Sequence, residues 1–336
     1  MKDSAMKFPR TLILDLTWRC NLRCFMCPRH RNDAPGEGMS AKHPEMSADI
    51  LQKLEQPIAS ADLIQFGGVG EPLLANGALD RLRWIRATNP SATVETFTNG
   101  TPFLSRRFTQ EAGSLLDAIH FSLDGISTYE SVHVGNTFQN AVSALRNIRD
   151  VRRECDGRPR LYIEFILMRR NVQDIVPVAG LAAQFGALQV NYKAMWVLTP
   201  DLLEESFWRD TRLAMQIRGE IATAKEYRIP IGCSVWPELS TVEQPAAIPS
   251  SCPCQDPWCK AHVVVDGQVS FCCMGQTWIG DLNRESFEQI WNGKEASRYR
   301  KGLQSGEYYK DCRVCPQVRP ADPVAYEKYN RPAPSK

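Results

Sequence analysis

The chain has 336 residues, 43% hydrophobic and 23% charged, enough apolar content for a large core and too much for a disordered regulator. A formal net charge of +2 gives no basis for a nucleic-acid-binding or membrane-binding surface. Twelve cysteines over this length are too dilute for a disulfide scaffold.

From the N-terminus, the apolar run at 11–16 is short and interrupted by Asp15, with no small-residue cleavage site behind it. It is therefore read as a strand and not as a signal peptide. No stretch approaches the ~20 apolar residues of a membrane helix, so a cytoplasmic protein is expected. There, cysteines point to metal ligation or redox chemistry.

Strands are predicted at 11–16, 63–66, 93–98, 118–123, 162–168 and 188–192. Between them, amphipathic helices are predicted at 47–58, 78–88, 106–114, 138–153 and 172–185, with Ser47 and Asn171 as N-caps. Repeated strand–helix alternation implies parallel strands with right-handed crossovers. Six units are too few for a closed eight-fold barrel, so the expected fold is α/β, a partial (β/α)6 TIM-like barrel. Its chemistry belongs at the C-terminal ends of the strands.

A long helix is predicted at 202–227, followed by a Pro-, Ser- and Cys-rich linker at 233–259. A hairpin at 261–272 turns at Asp266-Gly267, and a short helix at 286–291 follows. The expected organisation is a barrel core at 8–200, a helix and linker at 201–250, a small C-terminal hairpin-and-helix domain at 251–320, and a tail at 321–336.

Cys20, Cys24 and Cys27 lie close together just after the first strand. Three thiolates on one loop suit zinc or an iron–sulfur cluster. A four-iron cluster on three cysteines keeps one iron open to an outside ligand. A zinc knuckle completed by His30 is the structural alternative. After the second strand comes Gly67-Gly68-Val69-Gly70-Glu71-Pro72, where glycines permit close approach of a ligand and Glu71 offers a carboxylate to an ammonium group. The third strand ends in Thr98-Asn99-Gly100 and the fourth in Ser122-Leu123-Asp124-Gly125. These polar ends can reach a ribose, and each pair alone also reads as turn chemistry.

Taken in order, these motifs resemble the radical S-adenosylmethionine (radical SAM) family, over about residues 10–195. The resemblance implies a [4Fe-4S] cluster on Cys20, Cys24 and Cys27, with S-adenosylmethionine bound at its open iron. Gly68, Gly70 and Glu71 would hold the amino group of that cofactor. Asn99, Ser122 and Asp124 would neighbour its ribose, and Met26 would stand beside its adenine, where many members carry an aromatic residue.

Cys254, Cys272, Cys312 and Cys315, with Asp266-Gly267 between them, resemble the twitch form of the SPASM domain. This implies one auxiliary [4Fe-4S] cluster, with a zinc ribbon on the same thiolates as the alternative. Cys252 or Cys259 can replace Cys254 in this reading. Cys273 is a candidate to return a hydrogen atom to a substrate radical, with burial as the plain alternative. Glu164 and Lys193 are candidate catalytic residues at the barrel interior and mouth, with Trp196 beside them. A structural salt bridge explains the pair equally well. Arg29, His30 and Arg31 suit an anion or a solvated turn.

The resulting expectation is a radical SAM enzyme acting on a small polar substrate, a sugar, aminocyclitol or nucleoside, with a flavodoxin- or ferredoxin-type electron donor. The short stretch before Cys20 argues against a leader-peptide domain, which makes a peptide-modifying enzyme the alternative. A non-catalytic zinc or iron–sulfur module is the alternative of another class.

Overall fold

The computed structural model describes residues 7–27, 29, 44–195, 197, 200–242, 254–272, 277–309 and 312. Among the described residues ten strands run in chain order: β1 (Thr11–Leu14), β2 (Leu63–Phe66), β3 (Thr93–Thr98), β4 (Ala118–Ser122), β5 (Arg160–Leu167), β6 (Gln189–Ala194), β7 (Ile231–Cys233), β8 (Lys260–Val263), β9 (Gln268–Ser270) and β10 (Gly280–Asp281). The chain divides into two compact units. One comprises Met1–Arg19, Pro35–Glu95 and Pro249–Lys336, and the other Cys20–Ala34 and Thr96–Ile248.

In the first unit β1 pairs in parallel with β2 on one side and with β8 on the other. The C-terminal hairpin β8–β9, with Gly267 at φ 88° in its turn, extends this sheet. β10 closes it antiparallel to β9. The short helix Phe287–Trp291 starts at Ser286 in a capping box with Gln289. It buries Phe287 and Trp291, with Phe271 edge-on to Trp291 at 5.4 Å.

In the second unit β4, β5, β6 and β7 pair in parallel in chain order. Alternation sends Ile119, Phe121, Ile163, Phe165, Val190 and Tyr192 to a fully buried face. The helices Phe138–Glu154 and Ile175–Gln184 bury apolar stripes of their own in the same unit. The opposite strand positions carry the polar residues His120, Ser122, Tyr162, Glu164, Asn191 and Lys193, with Ala118 and Ile166 among them.

Several predicted elements differ in detail. The helix predicted at 47–58 is two pieces, Ala48–Gln52 and Glu55–Ser60. One continuous helix would press the Pro57 ring onto the carbonyl of Lys53, and restarting at Glu55 avoids this. Ser47 is the cap of the first piece and accepts from the Ile50 amide at 3.2 Å. Asn171 is not a cap of the later helix. It is fully buried, and its side chain donates to the carbonyls of Asp124 and Ile166, inside a 3-10 turn at Arg169–Asp174. The helix predicted at 202–227 is α-helical only over Thr211–Ala224, because Asp210 caps it by accepting from the Leu213 amide at 2.9 Å. A seventh parallel strand, β7, begins just before the predicted linker. Among the described residues no helix is long and apolar enough to cross a membrane.

Candidate active site

The cysteine loop packs within the second unit through backbone bonds, Arg23 N–H to Val134 O and Phe25 N–H to Val132 O, both 2.8 Å. Leu22 is buried beneath it. Arg170 lies over the Phe25 ring at 3.4 Å and is held in place by Glu205 at 2.8 Å. Cys20, Cys24 and Cys27 are all half-buried. Two N–H groups are directed at the Cys20 sulfur, from the Leu22 backbone at 3.4 Å and the Asn99 amide at 3.6 Å. The Asn99 amide also donates to Asn21 Oδ1 at 3.0 Å, so the residue after β3 braces the loop.

Burial pushes the Cys24 thiol well above its usual range, and the nearby charges of Cys27, Asp124 and Cys20 push it further in the same direction. Three thiolates this close are stable as anions only around a compensating cation. Among the described residues no three His, Cys, Asp or Glu side chains are gathered around a single metal ion. Three cysteine thiols, with N–H donors on the Cys20 sulfur, are of the donor type that iron–sulfur clusters take. His30, the fourth ligand of the zinc alternative, lies outside the described residues.

In the first unit, the glycine segment after β2 folds onto the chain that follows β1. The Glu71 amide donates to the carbonyl of Arg19, the residue just before Cys20, at 2.8 Å. A Cβ on Gly70 would strike the Thr17 carbonyl and lie 2.9 Å from that of Arg19. A Cβ on Gly68, at φ 97°, would strike the Asp15 carboxylate. The glycines are thus required by the protein's own backbone and by Asp15, whatever ligand approaches them. Glu71 is 1% exposed, and its Oε1 caps the following turn by accepting from the Leu73 amide at 3.4 Å.

On the polar face of the second unit, Glu164 is buried. Its Oε1 meets His120 Nδ1 and Asn191 Nδ2, each at 2.8 Å, and its Oε2 meets Lys193 Nζ at 2.6 Å. Burial by itself raises the Glu164 pKa. The His120 hydrogen bond and the Lys193 charge outweigh it, so the carboxyl sits below its ordinary range. His120 is stacked between Phe97 at 4.4 Å and Tyr162 at 4.8 Å. Lys193 also lies over Phe97, 5.2 Å from its centroid. The structure thus joins Glu164 and Lys193 and adds His120 and Asn191. Period-two alternation about Ser122 and Glu164 places both of them on this face.

Asp124 is buried, with Oδ1 accepting from the Ile166 amide and Oδ2 3.1 Å from His133 Nε2. Met26 is 8% exposed, and Ser122 shares the face of His120. The turn at Gly125–Thr128 is held by Asp174, which accepts from Ile126, Ser127 and Thr128.

In the C-terminal region Cys254, Cys259 and Cys272 are half-buried, while Cys312 is buried with its sulfur 2.9 Å from Tyr299 Oη. The Cys259 thiol donates to the Gln255 carbonyl at 3.4 Å. Cys252, Cys273, Cys315, Trp196 and Arg31 lie outside the described residues.

The SPASM iron–sulfur cluster-binding domain matches residues 252–316, a span holding Cys254, Cys272, Cys312 and Cys315. The solved structure of native anSMEcpe with bound AdoMet superposes with a TM-score of 0.65 at 14% identity, covering 92% of this chain and 87% of that one. The chain is similar to radical SAM enzymes in sequence and in fold. Its fold is that family's partial (β/α)6 barrel, with a SPASM-type hairpin and helix at the C-terminus. The cofactors of this family are S-adenosylmethionine and a [4Fe-4S] cluster, joined in SPASM proteins by auxiliary clusters.

Among curated relatives, the PqqA peptide cyclase of Xanthomonas campestris is 24% identical over 325 residues, 94% of this chain and 81% of the relative. The tungsten-containing aldehyde ferredoxin oxidoreductase cofactor-modifying protein of Pyrococcus furiosus is 24% identical over 201 residues, 58% of this chain. The chain spans about half the length of that second relative, 54%.

Proposed function

We propose that this radical SAM protein modifies a peptide by abstracting a hydrogen atom from it. The observation that carries this reading is the similarity to a PqqA peptide cyclase along 94% of the chain. It favours the peptide over the small hydroxylated substrate expected from the charge balance, the short stretch before Cys20 and the single auxiliary cluster. In this proposal Cys20, Cys24 and Cys27 hold the [4Fe-4S] cluster, and Gly68, Gly70 and Glu71 receive the amino end of S-adenosylmethionine. When bound there, the cluster would supply the one-electron reduction that cleavage of S-adenosylmethionine to methionine and a 5′-deoxyadenosyl radical requires.

The chain's own residues position the substrate and exclude water. Lys193, held by Glu164, presents an ammonium group on the polar strand face. Asn191, Tyr162 and Ser122 offer hydrogen-bonding groups beside it, suited to the amides and polar side chains of a peptide. Cys254, Cys272, Cys312 and Cys315 carry the auxiliary cluster in this reading. A flavodoxin- or ferredoxin-type protein supplies the electron.

The test is anaerobic reconstitution, followed by assay of 5′-deoxyadenosine with two panels. One holds short peptides encoded beside this chain's gene, and the other holds sugars, aminocyclitols and nucleosides. Formation above the uncoupled background is expected with a peptide, along with a mass change in it. Stimulation confined to the second panel would return the function to the small-molecule reading.

A further inference from the structure

His133 follows the short helix Tyr129–Val132 and is 1% exposed. Its ring stacks on Tyr129 at 4.6 Å, and the Tyr129 hydroxyl is itself fixed by the Asn136 amide at 2.9 Å. Nε2 stands 3.1 Å from Asp124 Oδ2 and 3.3 Å from the Asp124 amide. Nδ1 stands 3.4 Å from the Cys24 sulfur. The ring is thus fixed by contacts at both nitrogens and on its face.

We propose that His133 is a positioning residue for the cysteine loop, its Nδ1–H donating to the Cys24 sulfur and so raising the reduction potential of the cluster held there. The inference rests on the cluster assignment made above. An iron-bound thiolate carries no proton and can only accept. The contact is therefore attractive only when Nδ1 is protonated. In that form Nε2 is left to accept from the Asp124 amide at 3.3 Å. A hydrogen bond to a cluster sulfur favours the reduced, more negative state, and outer partners of this kind tune metal sites. Burial strengthens it, because the surrounding dielectric is low.

The test compares the full reconstituted chain with His133→Phe, which keeps a ring against Tyr129 without a donor, and His133→Asn, which keeps a short amide donor. Potentials are read by EPR-monitored titration, and the signal that changes on adding S-adenosylmethionine belongs to the cluster of the cysteine loop. His133→Phe is expected to move that potential negative, a tenfold loss in stabilisation of the reduced form reading as about 59 mV. His133→Asn should recover most of the shift, and the auxiliary signal should stay in place in both variants. Pulsed EPR on wild-type chain labelled with ¹⁵N-histidine should show a histidine nitrogen coupled to the same cluster, and it requires no variant to fold. An unchanged potential in His133→Phe, equal shifts in both variants, or no histidine coupling in the wild type overturns the proposal. A wild-type chain with no signal responsive to S-adenosylmethionine overturns the cluster assignment itself, and this inference with it.

Discussion

Asp15 and His262 stand 247 positions apart in the chain, yet His262 Nε2 lies 2.7 Å from Asp15 Oδ1, and both are buried. Asp15 continues from β1 and bonds through its amide to Val263 on β8. Its other oxygen accepts from the Trp18 indole at 3.2 Å. One carboxylate therefore pins the matched C-terminal segment to the strand that leads into the cysteine loop. Asp15→Ala removes the acceptor from both groups, at a cost of about 1–3 kcal/mol. Denaturant unfolding should show a lower midpoint at an unchanged slope. An unmoved midpoint contradicts this role.

Gly68 depends on the same carboxylate. Its φ of 97° and the closeness of Asp15 leave no place for a side chain. Gly68→Ala should destabilise the chain by about 1–3 kcal/mol. It should also weaken S-adenosylmethionine binding, read by equilibrium dialysis. Combining it with Asp15→Ala, which opens the space, should restore part of the binding. No effect of the single substitution on either measurement would falsify this account of the glycine.

Glu164 makes stability depend on pH. Its folded-state pKa is below the ordinary value of 4.5, so its contribution is fully present above that value and is lost as pH falls through the lowered one. Glu164→Gln should therefore cost stability at pH 7, by about 1–3 kcal/mol. The gap between variant and wild type should shrink as pH falls below 4.5. Thermal melts from pH 7 to pH 3 measure it, and a gap that widens on acidification refutes the assignment.

The two cysteine sets separate by iron content. Replacing Cys20, Cys24 and Cys27 together by alanine should abolish 5′-deoxyadenosine formation while leaving about four irons on the SPASM-type domain. Iron analysis and the visible spectrum after anaerobic reconstitution read this directly. A colourless triple variant counts against the second cluster. Loss of Cys312, the buried member of its set, should instead lower both iron and thermal stability, because cluster binding and folding are coupled.

By itself the sequence determined the alternation of strands and helices, because period-two and period-3.6 patterns are local consequences of backbone geometry. β2 and β3 fall where the alternation places them, at Leu63–Phe66 and Thr93–Thr98. The cysteine loop was legible because Cys20, Cys24 and Cys27 lie on one short segment. Only the tertiary structure decided that His133 meets Cys24, that His262 meets Asp15, and that Glu164 is shared by His120, Asn191 and Lys193. These contacts join distant segments, and no local periodicity encodes which distant side chain will meet which. Tertiary demands also overrode local signals. Asn171 reads as a cap in its neighbourhood, but the carbonyls of Asp124 and Ile166 needed a buried donor, and its amide supplies it.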